Sequence, residues 1–199
     1  MSFLEIIAVI FSIACVLLSM YKNVWTWLVG IVGIVAYFYL FYESKLYGDM
    51  SLQVIYFGQS LYGWWFWQLK PALAKNTILD DNSSYSTNND FVPKKLSKLG
   101  LIYTILGLSF SFGISAYLLS WTNADLPYLD AAASSISLIA NWLLARKVLE
   151  NWLLWIIADG LLIYIFISKE LYLSAATYLL FLILAILAFN KWRNSLKGV

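Results

Sequence analysis

Apolar residues run along this chain in long blocks rather than in alternation, and short polar clusters separate the blocks. Seven blocks stand out, at residues 4–21, 24–42, 51–67, 99–121, 131–145, 151–167 and 172–190. A helix rising about 1.5 Å per residue needs about 20 apolar residues to cross a bilayer, so the pattern predicts an all-α membrane protein with seven transmembrane helices. The fifth block is the weakest. Its AAASSIS stretch is small and mildly polar, which suits a helix packed tightly inside a bundle.

The polar interruptions set the organisation. The longest, residues 68–98, is rich in Asn, Ser, Asp and Lys and carries Pro71 and Pro93, so it reads as a solvated linker. Seven crossings place the loops alternately on two faces. One face receives Lys22, Lys70, Lys75, Lys94, Lys95, Lys98, Arg146, Lys147, Lys191, Arg193 and Lys197, which is 11 of the 13 basic residues, and the other receives Lys45 and Lys169. The positive-inside rule then puts the N-terminus outside and the C-terminus in the cytoplasm. The first block has no Lys or Arg before it, contains Glu5 and lacks a small-x-small site, so it is expected to remain as a helix rather than be cleaved.

Composition narrows the chemistry. At 62% hydrophobic and 12% charged the chain is far from a soluble domain, and a net charge of +2 excludes nucleic-acid binding through a broad basic field. Histidine is absent and Cys15 is the single cysteine, so imidazole metal sites, Ser-His and Cys-His pairs and internal disulfides are all excluded. An aspartyl mechanism would need two facing carboxylates. Asp130 falls at the outer end of its expected helix, just before the fifth block, and Asp159 near the middle of the sixth, so neither an enzyme nor a metal or cofactor is expected. A retinal protein is excluded as well, because residues 172–190 hold no lysine for a Schiff base.

The chain also repeats itself. Residues 4–67 lie over residues 129–192 with a constant shift of 125 and no gap, pairing Lys22 with Lys147, Trp27 with Trp152, Leu28 with Leu153, Ile31 with Ile156, Tyr39 with Tyr164, Phe41 with Phe166, Leu46-Tyr47 with Leu171-Tyr172 and Trp67 with Trp192. Each unit crosses three times and ends on the opposite side. A linker helix corrects this, giving a 3+1+3 parallel repeat: first unit 1–68, linker 69–98, linker helix 99–121, second unit 129–192 and tail 193–199. Parallel three-helix repeats are a transporter plan, with substrate between the units near the midplane.

Asp159 is the most informative residue. At mid-helix a carboxylate costs about 2.5 to 3.5 kcal/mol, and no Lys or Arg lies inside any of the seven blocks to pair with it. It is protonated, hydrogen-bonded by neighbours, or facing a watery cavity that receives a cationic ligand. Trp152, Trp155 and Asp159 share one stripe by three-four spacing, with Asn151 one turn from Trp155. In the third block Gln53, Tyr56, Ser60, Gly63 and Trp67 follow the same rule with Gln59 beside them, and in the fifth Ser134, Ser137 and Asn141 do so. Trp25, Trp64, Trp65 and Trp192 read instead as interfacial anchors. Indoles beside a carboxylate suit a flat, positively charged ring.

The strings LYGDMSLQVIYFGQSLYGWWFW (residues 46–67) and LLARKVLENWLLWIIADGLLIYIF (143–166), above all ARK..ENWLLW (145–155), resemble the PnuC family of bacterial vitamin transporters. The resemblance implies a SWEET-like seven-helix core, a homotrimer in the bacterial inner membrane, and facilitated diffusion of nicotinamide riboside, with neither an ATP site nor a coupling ion. It implies substrate binding by Gln53, Tyr56, Gln59 and Trp67 of the third helix and by Asn151, Trp152, Trp155 and Asp159 of the sixth. Some relatives carry Asn at the position of Ala158 or Asp159, and some move thiamine or riboflavin, so these vitamins stand as alternative substrates. Nicotinamide riboside and thiamine carry a ring cation that Asp159 would favour; riboflavin does not.

Overall fold

A computed structural model describes residues 3–43, 47–69, 92–121 and 126–196. Among these residues seven α-helices follow one another: α1 (Phe3–Met20), α2 (Thr26–Glu43), α3 (Tyr47–Trp64), α4 (Lys98–Leu119), α5 (Pro127–Ala145), α6 (Asn151–Ser168) and α7 (Tyr172–Ser195). A π turn at Trp65–Leu69 carries α3 onward. By length and composition α2, α4, α5, α6 and α7 can each cross a membrane, whereas the apolar part of α1, Ile6–Met20, is shorter. Residues 70–91, most of the expected linker, lie outside the described residues, as do Lys45, Leu46 and Lys197.

Boundaries depart from the apolar blocks where other forces act. Helix α5 begins at Pro127, ahead of its block, because proline is pre-organised for the first helical position and needs no N–H partner there. Helix α7 runs past Asn190 to Ser195, held by the wholly buried Trp192.

Two compact units form, Met1–Val92 and Pro93–Val199. In the first, α2 packs on both α1 and α3. Thr26 is buried and its hydroxyl donates to the Cys15 carbonyl at 2.8 Å; the Ser19 hydroxyl lies 2.6 Å from the same Thr26 oxygen, so the polar groups at this crossing satisfy one another. Gly63 lets α3 close on α2, since a Cβ there would sit 2.5 Å from the Trp27 ring. In the second unit α4 packs on α5, α5 on α6 and α6 on α7. The small residues of α5 do what the sequence predicts: Ala131, Ala133, Ser135, Ser137 and Ala140 are buried, and the Ser135 hydroxyl donates back to the Ala131 carbonyl at 2.7 Å.

The turns use one device. At the end of α1 the Lys22 N–H donates to Ser19 O (3.0 Å) and the Asn23 N–H to Leu18 O (2.9 Å), with Lys22 at φ 59°. At the end of α5 the Lys147 N–H donates to Leu144 O (2.9 Å) and the Val148 N–H to Leu143 O (3.0 Å), with Lys147 at φ 60°. These are Schellman ends, and they occupy positions 125 residues apart. Helix α6 closes likewise at Glu170, φ 57°. A left-handed non-glycine residue costs about 1 kcal/mol, which the two terminal hydrogen bonds offset.

Candidate functional site

The polar stripe of the second unit is built on the first three turns of α6. The left-handed Lys147 redirects the chain so that Asn151 enters the helix facing inward, fully buried, with its Nδ2 donating to Val148 O at 2.6 Å. Its Oδ1 has no hydrogen-bond partner among the described residues. Trp152 is also buried, and its Nε1 lacks a partner too. Its ring stands edge-on to Trp192, centroids 5.5 Å apart at 89°. Trp155 is half-buried one turn on, and Asp159 is 3% exposed. Leu153, Ile157, Gly160 and Tyr164 take the outward face.

Burial bears on the three states open to Asp159. Burial turns the carboxyl into the protein and away from lipid, and among the described residues no donor or cation reaches it. An uncompensated carboxylate in such a place costs several kcal/mol, a cost that either protonation of the carboxyl or an arriving positive charge removes. Helix α6 supplies none of its own, having no basic residue.

In the first unit the inward face of α3 carries the other predicted residues. Gln53, Tyr56 and Gln59 are half-buried, while Ser60, Gly63 and Trp67 are buried; Val54, Ile55, Phe57, Leu61 and Trp65 face outward. Trp67 belongs to the π turn rather than to α3 and meets Trp27 edge-on at 5.2 Å and 88°. On α5, Ser137 is buried and Ser134 and Asn141 are half-buried. Among the described residues no group of three His, Cys, Asp or Glu could hold a metal ion.

Two tryptophans differ from expectation. Trp192, expected as an interfacial anchor, is 0% exposed and serves as the edge partner of Trp152. Trp27 was not a candidate, yet it is buried, and its Nε1, like that of Trp152, has no hydrogen-bond partner among the described residues. The signal that could have found it was its alignment with Trp152 at the shift of 125. Trp25 and Trp65 are exposed, as anchors should be.

The model of the family described as "Nicotinamide mononucleotide transporter" matches residues 2–194. The nicotinamide riboside transporter PnuC of Escherichia coli (strain K12) is 23% identical over 216 residues, covering 99% of this chain and 87% of the relative. The nicotinamide riboside transporter PnuC of Neisseria mucosa is 26% identical over 166 residues, covering 81% and 59%. Among solved structures, the crystal structure of the vitamin B3 transporter PnuC superposes with a TM-score of 0.73 at 20% identity, covering 99% of this chain and 83% of that one.

Proposed function

The chain belongs to the nicotinamide mononucleotide transporter family, and from that membership we propose that it carries nicotinamide riboside into the cell by facilitated diffusion. The observation that carries the reading is the buried Asp159 carboxylate, without a cation among the described residues, on the same face as Trp152 and Trp155. A pyridinium ring supplies the missing positive charge and a flat face for an indole. The family description names the nucleotide, but its phosphate would bring negative charge to a helix with no Lys or Arg and one acid. The nucleoside fits that electrostatic setting better, and it is what the curated relatives are named for.

In this proposal Asn151, Trp152, Trp155 and Asp159 contact the ligand from α6, and Gln53, Tyr56 and Gln59 contribute from α3 and Trp67 from the π turn that follows it. The chain is read as two three-helix repeats joined by α4, a 3+1+3 plan in the bacterial inner membrane with its N-terminus outside. Support comes from the Trp27–Trp67 and Trp152–Trp192 pairs, near 90° in both units, and from the matching turns at Lys22 and Lys147. Assembly as a homotrimer belongs to the same proposal and rests on the resemblance. The test is calorimetry of the purified protein against nicotinamide riboside, thiamine and riboflavin. Nicotinamide riboside should bind tightest and riboflavin weakest; thiamine binding with a silent nicotinamide riboside titration would reassign the substrate.

A further inference from the structure

The start of α4 is tied to the turn before α6 by three hydrogen bonds. The Lys94 N–H donates to Lys147 O (2.9 Å), the Leu149 N–H donates to Lys94 O (2.8 Å), and the Leu96 N–H donates to Glu150 Oε2 (2.9 Å). Pro93 is wholly buried at the head of this strap. The consequence is electrostatic. Residues 92–98 and 142–151 carry five cations, Lys94, Lys95, Lys98, Arg146 and Lys147, against one acid, Glu150, one of whose oxygens is bound to the strap. Burial first, and then the Lys94 charge, lower the pKa of the Lys147 ammonium below its ordinary value. Lys94 and Lys147 are therefore held near one another by main-chain geometry and cannot spread apart without breaking the bridge.

Above this cluster stands an apolar surface. Lys98 opens α4, and Leu101, Ile102, Ile105 and Leu106 follow it at spacings of three, four, seven and eight, on the same side of the helix, each 50% exposed or more. At the equivalent turn of the first unit Tyr21 stands where the second unit has Arg146. A cation cluster at the foot of an exposed aliphatic stripe has the shape of one kind of ligand, with an anionic head and hydrocarbon tails.

We propose that this edge of the second unit binds an anionic phospholipid, its phosphate at Lys94 and Lys98 within the field of Arg146 and Lys147, and its acyl chains along Leu101, Ile102, Ile105 and Leu106. Bound lipid would relieve the repulsion stored in the strap and fix the start of α4 against α6. The test is thermal unfolding and native mass spectrometry of the full chain in detergent, with phosphatidylglycerol, phosphatidylcholine or inorganic phosphate added. Phosphatidylglycerol should raise the melting temperature and be retained, phosphatidylcholine should do so far less, and millimolar phosphate should neither mimic nor displace the lipid. Removing Lys94 and Lys98 charge in the double variant Lys94→Gln/Lys98→Gln should weaken phosphatidylglycerol binding about fivefold per lysine, with the phosphatidylcholine response unchanged as the control for folding. Equal stabilisation by phosphatidylcholine, an undiminished response in the double variant, or displacement by free phosphate would each overturn the proposal.

Discussion

Asp159 and Gly63 show how single positions separate function from packing. The Asp159→Asn change removes a buried charge that has no cation among the described residues, so the protein should melt no lower than the parent. Uptake of a cationic nucleoside should nonetheless fall at least about tenfold, the weight of about 1.4 kcal/mol of lost attraction. Full uptake in the variant would remove the carboxylate from the site. Gly63→Ala has the opposite signature. Its new methyl group meets the Trp27 ring, itself fixed against Trp67, so overpacking should cost about 1 to 3 kcal/mol and lower the melting temperature. Gly58→Ala on the same helix meets nothing within 4 Å and should stabilise by about 0.5 to 1 kcal/mol. At this scale the α6 stripe was legible, because a carboxylate in an apolar helix signals itself by its cost and helical spacing carries Trp152 and Trp155 to its side. The buried Trp27, whose Nε1 has no hydrogen-bond partner among the described residues, was not, because nothing local marks one tryptophan among ten in this way.

The helices were legible as apolar blocks, and their ends were not. Schellman ends usually take glycine, but here Lys22, Lys147 and Glu170 fill the left-handed position, so the sequence offered no glycine to mark it. The strap at residues 93–96 was hidden for a different reason: it depends on contacts far apart in the chain, such as Glu150 with Leu96. That contact makes its own prediction. Glu150→Ala leaves the Leu96 N–H without its acceptor, at a cost of about 1 to 3 kcal/mol. Hydrogen exchange at Leu96 and the start of α4 should quicken, and Glu150→Gln, which keeps a carbonyl acceptor, should lose less. Unchanged protection in Glu150→Ala would mean that the main-chain bridge alone holds the strap.

For the molecule as a whole, the all-helical fold was legible in the apolar blocks, and the proposed duplication rests on a single register. The shift of 125 that aligns two stretches of sequence also aligns two edge-on tryptophan pairs and two left-handed lysines. The proposed orientation rests on the distribution of Lys and Arg. An Asn88→Cys change in a Cys15→Ser background should react with an impermeant thiol reagent only once the membrane is opened; labelling of intact cells would invert the topology. A passive carrier of a fixed cation obeys the membrane potential: about 100 mV, negative inside, contributes about 2.3 kcal/mol, or about fifty-fold accumulation. The decisive measurement is therefore uptake of labelled nicotinamide riboside into vesicles holding only this protein, with a potassium diffusion potential and without ATP or an imposed sodium or proton gradient. The predicted result is equal concentrations inside and out at zero potential, and accumulation that rises with the imposed voltage. Uptake no faster than in protein-free vesicles, or uptake that starts only when an ion gradient is supplied, would contradict it.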